Sequence, residues 1–386
     1  MIEPKKLQQW DQALSQGTDE ALDFLQEEFR SSGDYYRLFD ALKMKVRKSI
    51  GLKLLHAQDD PPLDKATEEK LENGVLDACR QIATLYLSEG NLNDGWIYLQ
   101  PLSDEPFAKD LIEKVEVTDE NFGALIEIAF SNGVSPLYGY RLLLDKSGTC
   151  NGITAFDVQA MQFDRETVAG LASILLNHFC DEMRANVIEH VRKVKGSVDE
   201  SLSLDGFLQK HDWLVREGGH HADATHLASV IRIARQTTTE EDLRLAHSLA
   251  VYGCRLSEDF QFASDPPFEQ IYEDHKIWYQ ALLGSEVDAA IRRFETKAEQ
   301  SKGQNHETAV VEALVDLQIR TGNRDAAVDS MAQRFLSQVG SNELPTVAFE
   351  VARSASQFEK LATAFREGDN FAGYAFSILC RDEKQE

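Results

Sequence analysis

Apolar residues recur at three- and four-residue spacing over most of the chain, and strand-like alternation is nearly absent. That single feature restricts the chain to helices packed on helices. Near the end, Leu314, Leu317, Gln318 and Thr321 form one helical face that stops at Gly322, and Ala326, Ala327, Met331 and Phe335 resume it beyond. The reading is a helix, a tight Gly-Asn turn, then a second helix. Two stretches repeat the design closely. "ALLGSEVDAAIRRF" (residues 281–294) and "IRTGNRDAAVDSMAQRF" (319–335) share a glycine, a short spacer, Asp-Ala-Ala and a β-branched residue, and Asp288 and Asp325 lie 37 residues apart. Looser copies are "SQGTDEALDFL" (15–25), "SEGNLNDGWIYL" (88–99) and "SNGVSPLYGYRLL" (131–143).

Each copy is physically a helical hairpin. Glycine takes the left-handed conformation at the end of the first helix, and an Asp or Ser starts the next. Small residues such as Ala289 and Ala326 let the two helices approach. On these residues the chain resembles the tetratricopeptide-like class of α-helical repeats, over roughly the first 145 residues and the last 110. Trp278 stands near the place of the helix-A tryptophan, while the period is irregular and the terminal proline is absent. The resemblance implies an all-α fold of about 16 to 20 helices, an array of antiparallel hairpins in a TPR-like α-solenoid. Three regions are expected, either separate or as one continuous array: N-terminal hairpins over 1–145, histidine-rich middle helices with a long loop over 146–275, and C-terminal TPR-like hairpins over 276–386.

Forty basic residues against 65 acidic ones give a net charge of −25. Phosphate backbones and anionic membranes are bound by neutralising their charge, so neither is an expected partner. No apolar run approaches the length of a membrane span, and "MIEPKKLQQW" lacks the apolar core of a signal peptide. The five cysteines are scattered and never form a CxxC pair, which predicts reduced thiols and a cytoplasmic protein.

Chemistry concentrates in the middle. Eight of the ten histidines fall between His178 and His275. "GGHHADATH" places His220, His221, Asp223 and His226 directly after Gly218 and Gly219. Extended backwards, the inward stripe of Leu227, Val230, Ile231 and Ala234 runs through Asp223 and passes near His226. A second segment sets His178 four residues before Glu182, with Glu189 at a further seven, so that an imidazole and a carboxylate sit side by side. A third substitutes His275 into the apolar series Phe268, Ile271, Tyr272, Tyr279 and Leu282, and a fourth places His247 among Leu243, Ala250, Val251 and Cys254. Facing helices that bring histidines and carboxylates together build metal centres, and these ligands suit zinc, iron or manganese.

The expectation is therefore a metal-dependent or acid–base enzyme of the hydrolase or lyase type. His178, His220, His221, His226 and His275 are the candidate metal ligands, and Glu182 or Asp223 the candidate general base on a metal-bound water. The plain alternatives are an N-cap at Asp223, a surface pair at His178 and Glu182, and hydrogen-bonded core histidines. His190 and His211 read as solvated. Residues 145–164, "DKSGTCNGITAFDVQAMQFD", lack periodicity and read as a loop with Cys150 at its centre, a candidate lid. Arg232 and Arg235 lie just past the histidines, placed either to steer an anionic substrate or to neutralise a helix end. GxxxxGK[ST], GxGxxG and GxSxG are all missing, which argues against phosphate cradles and serine hydrolases. The second function class is a TPR-like scaffold that binds a peptide or protein along its concave face.

Overall fold

The computed structural model describes residues 3–58, 60–215, 220–335 and 346–382. Among these the chain forms nineteen α-helices and no strand, and is 75% helical. A lone antiparallel bridge joins Ala263 and Gln270. No described helix is long and apolar enough to cross a membrane.

The hairpin turns follow the sequence closely. Gly17, Gly90, Gly133, Gly284 and Gly322, the five glycines of the repeated motif, all have positive φ, between 77° and 141°. At three of them the same pair of hydrogen bonds closes the helix. Gly322 N donates to Ile319 O and Asn323 N to Gln318 O (3.1 and 2.7 Å), a pattern repeated at Gly90 with Asn91 and at Gly284 with Ser285. Asn91 accepts the Asp94 N–H as an N-cap. The other starts differ from expectation. Ser135 donates its hydroxyl to Glu113 at 2.6 Å instead of capping, and Asp288 and Asp325 fall in the first turn of their helices. The alanine that permits close packing is the second of each pair: Ala290 and Ala327 are buried, while Ala289 is exposed and Ala326 half-buried.

The chain divides into two compact units, Met1–Gly148 and Thr149–Glu386. In the first, the consecutive helices Tyr35–Ser49, Lys65–Ser88 and Leu92–Leu99 pack on one another around Leu38, Ile82 and Leu99. Tyr35, Tyr86, Tyr98 and Phe39 stack edge and face beside them, with ring centroids 5.0–5.8 Å apart.

The expected loop over 145–164 is mostly helix. The helix Pro136–Gln159 runs through it, broken only at Gly148 (φ 73°, ψ 177°), and a short 3₁₀ turn follows at Ala160–Gln162. Two glycines and two polar residues around Cys150 hide the apolar period, but Ile153 and Phe156 still bury one face. Cys150 thus stands exposed on a helix, not on a lid.

The second unit is organised by the 31-residue helix Arg165–Lys195. Asp164 caps it through the Thr167 N–H at 2.7 Å, and Gly196 ends it in the left-handed conformation. Against it pack the helices Leu204–Lys210, Ala224–Ile233 and Glu240–Gly253. The helix Ile271–Leu282 is tied to Ala224–Ile233 by two tyrosines seven residues apart. Tyr272 Oη donates to Ala224 O (3.3 Å) and Tyr279 Oη to Ile231 O (2.5 Å), which fixes the two helices in one register. The chain continues through the helices Val287–Gln300, Glu307–Arg320, Arg324–Ser330 and Thr346–Ala355, each packed on the next.

Candidate functional site

The histidines occupy several settings, and two of them, His190 and His221, meet. Asp223 lies outside the helix that it was expected to extend. Its backbone is non-helical (φ −59°, ψ 126°), and its carboxylate accepts the N–H groups of Thr225 and His226 (2.8 and 3.1 Å). It is the N-cap of Ala224–Ile233, a role worth about 1 kcal/mol, and the hydrogen bond from the Thr225 hydroxyl, together with these backbone bonds, holds its carboxyl below the usual range. A helical face cannot be extrapolated past a cap, because the chain leaves the 3.6-residue period there. The inward stripe itself is as expected, with Leu227, Val230, Ile231 and Ala234 buried. Gly218 and Gly219 lie outside the described residues.

His226 is half-buried, and His220 is exposed against the Phe260 ring at 5.0 Å. His178 Nε2 lies 3.4 Å from Glu182 Oε1, and the other oxygen of Glu182 accepts the Thr149 hydroxyl at 2.5 Å. Glu189 is exposed. His221 is buried and belongs to a chain that the sequence did not suggest. Its N–H and its Nδ1 both lie 3.0 Å from Tyr252 Oη, and its Nε2 lies 2.9 Å from His190 Nδ1. The chain is satisfied when Tyr252 Oη accepts the backbone N–H and donates to Nδ1, leaving the His221 Nε2–H to donate to His190. His190, read as solvated, is half-buried here against Trp213. His275 is buried under Phe268 with ring centroids 4.2 Å apart, and its Nδ1 donates to Ile271 O at 2.6 Å. Among the described residues, no three His, Cys, Asp or Glu side chains come together to hold a metal ion.

Two of these imidazoles are held neutral by burial, His221 down to about 4 and His275 to about 3. In the unfolded chain both titrate near the ordinary value of about 6.5. From that pH downward the unfolded chain takes up protons that the folded chain refuses, so stability falls until about pH 4 for His221 and about pH 3 for His275. Each contributes a slope approaching about 1.4 kcal/mol per pH unit. Replacing His275 with phenylalanine should remove one such slope. Urea unfolding free energies at pH 7, 6, 5 and 4.5 check this, and wild-type and variant curves that run parallel would refute it.

A concavity of the second unit lies elsewhere. A groove of about 780 Å³ opens beside the helix Glu307–Arg320, with Ala309, Glu312, Ala313 and Asp316 along one wall. Its remaining lining includes Trp278, Met331, Ala348 and three arginines, Arg165, Arg235 and Arg320. The wall is a stripe at helical spacing (309, 313, 316, 320), distinct from the core stripe of Val310, Leu314 and Leu317. Two alanines keep it shallow, which leaves the space open.

The arginines have different tasks. Arg320 donates to Arg235 O and Thr237 O at 2.6 and 2.7 Å, and its guanidinium lies 3.6 Å from Asp316. It therefore clamps the 3₁₀ turn Ala234–Gln236 that carries Arg235. Arg235 donates Nε–H to Arg232 O at 3.2 Å and lays its guanidinium over the Phe268 ring at 4.3 Å. Its terminal nitrogens have no hydrogen-bond partner among the described residues. Burial pushes its pKa below the ordinary value, against the pull of Asp316. Asp316 is shifted the other way: the surrounding protein raises its carboxyl, although half its side-chain surface faces the open groove. Arg232, three residues before Arg235, is occupied by Asp157 at 2.7 and 2.9 Å. Of the two arginines singled out in the sequence, only Arg235 faces the groove.

No protein family matches the chain, and neither a curated protein nor a solved structure is similar to it.

Proposed function

We propose that the chain is a helical-repeat scaffold, a TPR-like array of antiparallel hairpins, that binds an extended segment of a partner protein in the groove of its second unit. The observation that carries this reading is the groove wall. The helix Glu307–Arg320 buries one complete apolar face and turns a second face, made small by Ala309 and Ala313, into a cleft of about 780 Å³. A wall of that kind serves an occupant, since core packing alone would fill it with larger side chains. The recurring glycine turns and consecutive packing of helices support the hairpin array. With no three His, Cys, Asp or Glu side chains brought together among the described residues, a metal-dependent hydrolase or lyase has less support.

Filling the cleft tests the reading. Ala313 is half-buried at the groove wall, so a tryptophan there projects into open space at little cost to the core. Peptides displayed at random and selected on the wild-type protein should lose at least ten-fold in retention on Ala313→Trp. Equal enrichment on both proteins would place binding elsewhere, and no enrichment on the wild type would remove the scaffold reading.

A further inference from the structure

We infer that the groove recognises the carboxylate of an Asp or Glu side chain in the partner segment, with Arg235 as its principal contact and Arg165 as its second. This inference rests on the groove being the binding surface and adds the chemistry that it selects. Arg235 brings to the groove a pair of terminal amino groups that have no hydrogen-bond partner among the described residues. The planar guanidinium fork fits the two oxygens of a carboxylate. Burial has cost the half-buried guanidinium solvation that the charge of Asp316 and the Phe268 ring replace only in part, since neither bonds its terminal nitrogens, and an incoming carboxylate supplies those bonds.

The position is also pre-formed. Phe268 lies beneath the guanidinium, and Arg320 holds the carbonyls of Arg235 and Thr237, so little side-chain freedom is lost on binding. Arg165, the exposed first residue of its helix, lines the same cleft. The charge count then limits the ligand. Three arginines against Glu312 and Asp316 leave the lining at +1, on a chain that carries −25 overall. One negative charge matches that site, whereas a phosphoryl group with nearly two meets two carboxylates beside the arginines.

The test uses the full-length protein and three acetylated, amidated nonapeptide libraries of uncharged residues, differing only in a fixed central Glu, Gln or phosphoserine. The Glu library should be retained at least ten-fold better than the Gln library. That ratio should approach one in Arg235→Gln and fall by a smaller factor in Arg165→Gln, whose exposed position leaves folding untouched. Ala313→Trp should abolish retention of both. Equal retention of Glu and Gln libraries, still sensitive to Ala313→Trp, would overturn the carboxylate assignment and leave the groove as a binding surface. Stronger retention of phosphoserine than of Glu would likewise overturn it. Retention insensitive to Ala313→Trp would overturn both readings together.

Discussion

Asp274→Ala is expected to cost about 3 kcal/mol of folding stability, the largest loss anticipated from any single charged side chain here. Asp274 is fully buried, and its carboxylate accepts four hydrogen bonds. They come from Gln270 N at 3.0 Å, from Arg293 Nε and one terminal nitrogen at 3.0 and 2.8 Å, and from Lys297 Nζ at 2.8 Å. Lys297 also donates to Pro267 O and to Glu269 at 2.5 Å, so one carboxylate joins the helices Ile271–Leu282 and Val287–Gln300 to the Pro-Pro loop before them. Removing it leaves Arg293 without its acid and leaves Lys297, the more buried of the two cations, with Glu269 alone to pair its charge. Arg293→Ala should cost far less, about 1 kcal/mol, because that side chain is more than one-third exposed and Lys297 remains to pair the acid. Chemical denaturation of the two variants at pH 7 checks the order, and an Arg293→Ala loss equal to or above that of Asp274→Ala would contradict it.

Trp278→Ala should destabilise the second unit by about 3–5 kcal/mol. The indole is 1% exposed, packs on Phe268 and Phe294 with centroids 5.4 and 5.3 Å away, and forms part of the groove lining. Its Nε1–H is buried without a hydrogen-bond partner among the described residues. That detail separates two substitutions. Trp278→Phe keeps most of the aromatic volume and gives up no hydrogen bond, so its cost should stay near 1.5 kcal/mol or below. A Phe variant as unstable as the Ala variant, measured by urea unfolding, would mean that the indole nitrogen contributes a bond that this packing does not contain. Because Phe268 supports both Trp278 and Arg235, the Ala variant should also weaken whatever binds in the groove.

Fold class was legible because its signals are local. A glycine that must take positive φ at a helix end shows in the sequence as a glycine between two periodic segments, and all five in the repeated motif take that role. Packing detail was one residue off at Ala289 and Ala326, since a helical face 100° wide admits either of two adjacent alanines. Residues 145–164 were misread for the opposite reason: small and polar residues around Gly148 and Cys150 masked a helix that is held by tertiary contacts at Ile153 and Phe156.

The site was legible only in part. Histidines draw attention by residue type, but where their rings point depends on caps and crossings that spacing does not encode. Asp223 ends its helix and His221 reaches Tyr252 from 31 residues away. The groove left a weaker trace. Ala309, Ala313, Asp316 and Arg320 repeat at helical spacing beside the core stripe, a second face too small and too charged for packing alone. Arg235 was singled out, and what the sequence could not supply was the distant Phe268 and Arg320 that fix its direction.

The central claim is that this groove is where the chain meets its partner. Amide hydrogen exchange of the full-length protein, with and without a peptide selected on it, tests this most directly. The account predicts slowed exchange in Glu307–Arg320 and Ala234–Gln236, with the helices of Met1–Gly148 unchanged. Protection confined to Met1–Gly148, or centred on the segment around His190, His221 and Tyr252 while Glu307–Arg320 exchanges as before, would contradict it.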